Sequence, residues 1–336
     1  MPGKFLNFPF DEELFLMQWQ AAQDPTKLAM LNSGAIQSNA QIKSMISNGS
    51  NLYTIPFYDV LGGEPDNYDG QTDITTTEPT GSSQTGVVYG RAHGWKDRDF
   101  IHDFNSGADP MKQISSQVSR FWDKKRQGTV LKILDGVFGT TDNTGGYLAK
   151  WRQHTVDVSK VGDGMVTETT MGDAAQSAVG DNADIFSLCW MHSKVAQNLA
   201  NLQLLTFRKY TDAMGIERQL KIADYNGKTV IVDDDCPVDV SGDAPLYTTY
   251  ALGMGAIQYA DAPVKTPVEI NREAKVQGGF DELITRLRET YHPNGFSYKL
   301  PTGVISPTNA QLGAAANWLI AVDPKLIPLV KIVSKG

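Results

Sequence analysis

The sequence is poor in the residues that build disulfides, zinc sites and many catalytic centres. Its 336 residues include two cysteines, Cys189 and Cys236, which lie 47 positions apart with no paired spacing. We therefore expect both to be reduced and buried, with no zinc site. Five histidines are scattered without an i, i+4 pair. The best candidate dyad is His102–Asp103, and adjacent residues rarely orient each other as base and supporting acid. The sequence argues against an enzyme.

Positive charge and long apolar runs are also scarce. The net charge is −8, the isoelectric point is about 5.2, and the densest cationic patch is the short run Lys124–Arg126. A protein that grips nucleic acid by its phosphates carries a basic stripe, so any contact with DNA is expected to be loose and independent of sequence. No apolar run approaches the length of a membrane span, and the N-terminus lacks the pattern of a secretory signal, so no membrane partner is expected.

The segment "YNGKTVIVDDDCPVD" (225–239) looks at first like a nucleotide site. A phosphate-binding loop needs a glycine where Ile222 stands, and it must open a helix. Here Lys228 is followed by the β-branched run Thr229–Val232, which predicts a buried strand instead. Asn226–Gly227 is typical of a tight hairpin turn, because both residues tolerate positive φ.

The three acids Asp233–Asp235 leave one chemical alternative open. They offer oxygen ligands for calcium or magnesium, which would suit a small metal-dependent α/β enzyme. Successive strand residues point to opposite faces, however, so three in a row do not converge on one ion without a loop. The simpler prediction is a strand end that Pro237 terminates.

The first hundred residues look like an arm and a flap. Residues 1–50 predict an arm with short helices. Two strand-like runs follow, Leu52–Tyr58 and Val87–His93. Residues 59–86 between them contain five glycines, six threonines and six acids, and no lysine or arginine. Thr72–Thr77 has β propensity, so the connection predicts an extended two-stranded flap, which as an isolated hairpin would need to rest on a partner.

A long helix is the clearest element of the sequence. Asp109–Pro110 provides an N-cap and a first turn, and apolar residues then recur at helical spacing to residue 138. At the usual rise this predicts a helix of about 44 Å.

Beyond the long helix, short helices and strands alternate. The predicted elements are a buried strand Ile185–Met191, a helix capped by Ser193 with the stripe Val195, Leu199 and Leu202, strands around Ile270 and Leu283–Leu287, and a last helix Asn309–Ile320 before an apolar tail.

In this order, the elements resemble the major capsid proteins of tailed bacteriophages of the Hong Kong 97 type. The similarity rests on segments that recur there in the same order: "DPMKQISSQVSRFWDKKRQGTVLKILDGVFG" (109–139), "WMHSKVAQNL" (190–199), "GKTVIVDDDCPVD" (227–239), "YTTYALGMGAIQYADAP" (247–263), "ETYHPNGFSY" (289–298) and "SPTNAQLGAAANW" (306–318). It covers the chain from about residue 95 onward, and the arm and flap match in kind only.

The resemblance implies an α+β phage capsid fold with four parts. These are an N-terminal arm (1–50), an extended β-hairpin loop (51–94), a peripheral domain (95–150 and 266–300) with a spine helix at 109–138, and an axial domain (151–265 and 301–336). It implies a coat protein that self-assembles into hexamers and pentamers of an icosahedral head enclosing double-stranded DNA. An encapsulin-like nanocompartment shell, which shares the fold, stays open beside the metal-dependent enzyme.

The same resemblance implies the partners and the contact residues. Expected partners are further copies of the chain, a separate scaffolding protein, a portal, optional decoration proteins and loosely held DNA, in a virion assembled in the host bacterial cytoplasm. No cofactor is expected. Some relatives join subunits covalently from a flap lysine to an asparagine, and this flap has no lysine. We therefore predict non-covalent contacts between subunits at five flap residues: Tyr58, Tyr68, Ile74, Thr75 and Thr77.

Overall fold

The structure is a computed structural model that describes residues 4–5, 8–9, 33–58, 63–71, 73–76, 78, 81–98, 110–211, 217–242, 244–276 and 279–336. Most of the predicted arm (1–50) and the candidate dyad His102–Asp103 lie outside these residues. None of the helices in this described part of the chain is both long and apolar enough to span a bilayer.

An eight-stranded mixed sheet forms the larger core. Its strand order is β7-β19-β13-β8-β11-β10-β9, and β12 pairs with β13. The strands are β7 Thr155–Asp157, β8 Phe186–Met191, β9 Thr206–Thr211, β10 Glu217–Tyr225, β11 Lys228–Val232, β12 Val238–Asp239, β13 Leu246–Gly253 and β19 Leu329–Ser334. The predicted strand at 185–191 is confirmed as β8, which lies between β13 and β11 and is buried along most of its length.

The predicted turn at Asn226–Gly227 is also confirmed. Both residues have positive φ, 49° and 74°, and they join β10 to β11 with Tyr225 directly opposite Lys228. This is the conformation that a two-residue hairpin loop with the twist of the strands requires. Lys228 therefore begins a strand and no helix follows it.

Two short helices cover one face of this sheet. These are α4 (Thr170–Val179) and α5 (Ser193–Asn201). The described helices that precede them in the chain are α1 (Ala40–Ile46), α2 (Pro110–Phe138) and α3 (Leu148–Trp151).

The predicted N-cap and apolar stripe of α5 are partly wrong. His192 is the N-cap, since its Nδ1 accepts the Lys194 N–H at 3.1 Å. Leu202 follows the last helical residue and is 56% exposed, because the chain turns away there.

A second sheet is built on one long strand. β16 (Phe280–Pro293) pairs on one edge with β15 (Val268–Glu273) and β14 (Ile257–Ala262), and β14 continues to β3 (Ile36–Ser38). On its other edge β16 pairs antiparallel with β6 (Tyr89–Arg98) over ten residue pairs without a register shift. The runs predicted around Ile270 and Leu283–Leu287 are thus confirmed as β15 and β16. A short two-stranded hairpin, β1 Lys4–Phe5 with β2 Phe8–Pro9, precedes them.

Helix α2 lies against this second sheet and has the predicted extent. It continues through Gly128 and ends one residue before Gly139. Its Trp122 indole donates to the Thr285 hydroxyl at 3.0 Å, and Arg126 Nε donates to a Glu289 carboxylate oxygen at 2.7 Å. The side chains of Arg126 and Glu289 are only 16% and 3% exposed. Burial by itself lowers the pKa of Arg126, and the neighbouring Glu289, Tyr259 and Tyr291 together more than offset this, so that the pKa is raised overall.

The flap is a two-stranded hairpin that leaves the body of the subunit. β4 (Leu52–Tyr58) pairs with β5 (Gly81–Val87), from Leu52 opposite Val87 to Tyr58 opposite Gly81. The predicted strand Val87–His93 is therefore divided at Val88 between β5 and β6. The expected strand at Thr72–Thr77 is wrong for residues 73–76, which are exposed and in no strand. We call residues 59–80 the hairpin tip.

The last predicted helix is much shorter than expected. α6 spans Asn309–Leu312, a 3₁₀ turn follows at Ala315–Asn317, and β18 (Trp318–Ile320) pairs with β17 (Phe296–Tyr298). Trp318 is the reason, since its buried indole donates to the Leu312 carbonyl at 2.7 Å and holds the chain in a return path.

Two glycines of helix α2 should respond to alanine in opposite directions. A Cβ at Gly136 would lie 2.6 Å from the Leu312 carbonyl oxygen and 2.7 Å from Trp318 Nε1, whereas a Cβ at Gly128 would meet nothing within 4 Å. We expect Gly136→Ala to lower the free energy of unfolding by about 1–3 kcal/mol through overpacking. Gly128→Ala should raise it by up to about 1 kcal/mol through helix propensity. Urea unfolding of the two variants compares them, and equal shifts would contradict the packing described here.

Candidate functional site

The hairpin tip is tied together by side chains instead of strand pairing. The Asp66 carboxylate accepts hydrogen bonds from both the backbone N–H and the hydroxyl of Thr75, nine positions away. These two bonds lower the pKa of Asp66. Asp69 accepts the Gln71 N–H at 2.8 Å and the Asn67 amide at 3.3 Å. The two sides of the tip are therefore connected although none of its described residues lies in a strand.

Large apolar side chains stand exposed at the end of β4 and on this tip. Tyr58 is 85% exposed, Tyr68 is 92% exposed and Ile74 is 72% exposed. Of the two threonines that the sequence assigned to contacts, Thr75 has its hydroxyl bonded to Asp66 within the same subunit, and Thr77 lies outside the described residues. Exposed apolar groups at the end of a projecting hairpin are typical of a surface that meets another protein. The contact role of the five flap residues stays a prediction.

A buried polar cluster fixes the base of the hairpin. The Gln84 side chain is 5% exposed; its amide donates to Asn294 Oδ1 at 3.1 Å, and its oxygen accepts from the Gly295 N–H at 2.9 Å and from His292 Nε2 at 3.2 Å. On the paired strand the Tyr53 hydroxyl lies 2.9 Å from the Thr290 hydroxyl. These bonds satisfy polar groups that burial would otherwise penalise, so they set the direction in which the hairpin leaves the body.

Sequence reasoning did not find this cluster. Gln84 stands in the polar run Gly81–Gly86, which gives no periodic signal, and its partners lie more than 200 positions further along the chain. Gly86 is the one local hint, because a Cβ there would lie 2.2 Å from the ring of Tyr53. The pairing of β4 with β5 brings Tyr53 beside Gly86, and the end of β16 brings His292 to Gln84.

The acids Asp233–Asp235 lie at a strand end and make contacts with nearby protein groups. Asp233 follows β11; its carboxylate accepts the Trp190 indole N–H at 3.3 Å and the Asp235 N–H at 3.0 Å. Asp235 lies 3.7 Å from the ammonium of Lys124 on helix α2. Within the described part of the chain, no group of three or more His, Cys, Asp or Glu side chains is arranged to hold a metal ion. The strand-end prediction is confirmed for the three acids, because β11 ends at Val232 directly before them. It is wrong for Pro237, because the next strand of the sheet, β12, begins directly after that residue at Val238. Cys189 and Cys236 are both free and buried.

A projecting hairpin, a long helix packed on a sheet built around one long strand, and a separate α/β sheet together define the capsid fold of the Hong Kong 97 type. Residues 148–326, more than half of the chain, match the model of the Gp13-like family, described as major capsid protein 13-like. The chain belongs to this family of major capsid proteins.

Individual relatives agree with the family. The chain is 28% identical over 308 residues to the major capsid protein of Bacillus phage SPP1, with 90% of each chain covered. Its fold is similar to the capsid of Ralstonia phage GP4, with a TM-score of 0.55 at 9% identity and coverage of 89% and 87%. It is also similar to a structure from Mycobacterium phage Bobi, with a TM-score of 0.51 at 15% identity and coverage of 94% and 92%. The resemblance inferred from the sequence is confirmed.

Membership decides between the alternatives that the sequence left open. The family is a structural one, a component of the virion shell, and this favours a phage head over a nanocompartment shell and over a metal-dependent enzyme.

The hairpin base should destabilise the subunit at acidic pH. Burial lowers the pKa of His292 from its ordinary 6.5 to about 4. The unfolded chain therefore binds the extra proton between these values, so this stability is fully present above pH 6.5 and is lost as the pH falls towards 4. A shift of this size corresponds to about 3 kcal/mol.

We expect the free energy of unfolding to fall between pH 7 and pH 4 by about that much more in the parent protein than in His292→Gln, because the variant has no imidazole to protonate. Denaturant titrations at both pH values measure the difference. Parallel pH profiles for the two proteins would contradict a neutral, buried His292.

Proposed function

We propose that this major capsid protein closes an icosahedral shell of hexamers and pentamers around double-stranded phage DNA. The observation that carries the proposal is the far end of the hairpin, where Tyr58 of β4 and Tyr68 and Ile74 of the tip are exposed and have nothing of their own subunit to cover them among the described residues. Buried hydrogen bonds hold the base of the hairpin, and the described tip residues are exposed, so the tip is placed to reach a neighbouring copy. A full aromatic side chain buried in this way contributes on the order of 2 kcal/mol before ordering costs.

In the same proposal each of the four parts of the chain has its own role in the shell. The arm (1–50) and the extended loop (51–94) make contacts between subunits, except that β3, α1 and the start of β6 pack on their own subunit. The peripheral part (95–150 and 266–300) links neighbours through the long helix and its sheet, and the axial part (151–265 and 301–336) meets its copies around the capsomer axis. Many modest contacts repeated around a closed shell give a stable particle.

Other partners in the proposal follow from family membership and charge. A separate scaffolding protein and a portal assist assembly in the host bacterial cytoplasm, and decoration proteins are optional. The subunit carries a net charge of −8, so the packaged DNA touches the inner surface loosely and without sequence preference.

Removing the tip tests the carrying observation. Tyr58 and Gly81 are directly paired, so replacing residues 59–80 by Asn-Gly leaves both strands and closes them with a favourable two-residue turn. We expect a subunit that is soluble and as stable as the parent protein, because the base of the hairpin is unchanged, but that no longer closes shells. Negative-stain images and size-exclusion chromatography measure this. A matched control replaces only Thr76 by Ser, and normal shells from the tip-deleted chain would overturn the role of the tip.

The bonds between subunits should be non-covalent. Residues 59–86 contain no lysine, so a flap amine is not present to form an amide with an asparagine next door. Mature particles boiled in detergent should therefore migrate as one band near 36.8 kDa. A ladder of dimers, pentamers and hexamers that survives reductant would show a covalent join and contradict this.

A further inference from the structure

A pocket lies between helix α2, strand β6 and the start of helix α6. Its volume is about 190 Å³, and its wall includes Arg91 and His93 of β6, Lys125 and Thr129 of α2, and Asn309 of α6. One water takes up about 30 Å³ of the liquid, and sites for drug-sized ligands begin at about 300 Å³. The pocket therefore has the size for a small ligand and not for a large cofactor.

Regular spacing along two elements brings the side chains of this pocket together. Phe121, Lys125 and Thr129 are four positions apart on α2, so they follow one stripe of the helix. Arg91 and His93 are two positions apart on β6, so they project from one face of the strand. The rings of His93 and Phe121 stack with centroids 4.8 Å apart and join the two elements. Charges beside such an aromatic wall are less screened than charges in open water.

The charges that line the pocket do not cancel among themselves. They are the cations Arg91, Lys125 and Arg126 and a single carboxylate, Glu289. Glu289 accepts from Arg126 at 2.7 Å, and Arg126 also bonds to Asp123 at 3.1 Å. Among the described residues, no carboxylate lies within ion-pair distance of Arg91 or Lys125. The pocket therefore has an excess of positive charge.

The Arg91 side chain is held in place by neutral groups. Its guanidinium donates to the Gly90 carbonyl at 2.8 Å and to Asn309 Oδ1 at 2.7 Å, and it lies 4.8 Å from the centre of the Tyr89 ring. A guanidinium carries five N–H donors, so within the described part of the chain three of them are left for a ligand. Burial lowers the pKa of Arg91, and Tyr89 and Glu289 offset only part of this. A bound anion would favour the charged form of Arg91.

The two cations match a phosphate group better than they match a carboxylate. A guanidinium offers two parallel N–H groups to a pair of oxygens, and the Lys125 ammonium is a compact charge on the helix side of the pocket. Phosphate carries up to two charges and several oxygens, so both side chains can bind it at once. A carboxylate has one charge, which either cation alone would neutralise.

We propose that the pocket between α2, β6 and α6 binds a phosphate group through Arg91 and Lys125. A free phosphate or nucleotide and the backbone of nucleic acid share this chemistry, and the experiment separates the two sources. The bound group would join β6 to α2 across the pocket and so stabilise the peripheral part of the subunit. The inference goes beyond the proposed function, because neither the hairpin tip nor the closing of a shell requires this ligand.

Titration of the purified full-length chain with inorganic phosphate tests the site, with sodium chloride holding the ionic strength constant. Arg91→Gln and Lys125→Gln each remove one positive charge from the pocket. Lys124→Gln is the matched control, because it removes the same charge at the adjacent position, where Lys124 contacts Asp235 at 3.7 Å. Calorimetry measures the affinity, and the midpoint of thermal unfolding with and without phosphate checks it.

We expect phosphate to bind the parent protein and Lys124→Gln alike. In each pocket variant the affinity should fall by at least about tenfold, the effect of losing one charge-assisted hydrogen bond. Lys125 is exposed, so Lys125→Gln keeps the fold and decides the question if Arg91→Gln does not fold. Absence of binding to the parent by both measurements, or equal affinity in all four proteins, would overturn the site. Acetate that binds as tightly as phosphate would overturn the choice of ligand.

Competition then identifies the source of the phosphate. A short oligothymidylate that displaces phosphate from the parent and has no such effect on the pocket variants assigns the site to the backbone of nucleic acid. Displacement by thymidine monophosphate alone assigns it to a free nucleotide, and displacement by neither assigns it to inorganic phosphate. A competitor that binds the pocket variants as well as the parent would show that phosphate is held elsewhere and overturn the proposal. None of these results affects the shell function, which the tip deletion tests separately.

Discussion

Strand β16 is the constraint on which the rest of the subunit depends. It bonds through its side chains to three separate parts of the molecule: Thr285 and Glu289 hold helix α2, Thr290 accepts from the Tyr53 hydroxyl on β4 and donates to the Val87 carbonyl on β5, and His292 donates to Gln84 on β5. Its backbone at the same time joins β6 to β14 and β15. Because these bonds are buried, a shift of β16 would leave several polar groups without partners at once, and each such loss is costly. The helix, the sheet and the hairpin base are therefore positioned together.

The sequence predicted those parts of the fold that short-range chemistry determines. Helix α2 has a proline at its start and a regular apolar face, and Asn226–Gly227 accepts positive φ, so both were found with nearly their observed bounds. The last helix was overestimated because the bond from Trp318 to the Leu312 carbonyl reverses the chain, and an indole that folds back on its own helix end leaves no periodic trace. The threonines of the tip favoured a strand, but strand structure also needs a partner, and no described residue of the subunit pairs with residues 73–76.

The candidate site divides in the same way. Exposure of Tyr58, Tyr68 and Ile74 was foreseeable, since apolar residues in an acidic loop have no core to enter. The hairpin base was not, because Gln84 and His292 meet only after β16 has formed its pairs across 208 positions of sequence. Burial lowers the pKa of His292, so its imidazole is neutral when it donates to the Gln84 side chain. The three consecutive acids suggested a metal site. In the structure they follow the end of β11, where Asp233 accepts the Asp235 N–H and Asp235 lies beside Lys124.

The junction between β5 and β6 has a mechanical consequence. Only Val88 separates the two strands, so the chain runs from the hairpin into the ten-pair ladder with β16 almost without interruption. A pull on the hairpin along its own axis would load that ladder in shear, with all its hydrogen bonds resisting together, whereas a pull across the strand would open them one after another. The β6–β16 ladder therefore resists tension along β6 better than peeling across it.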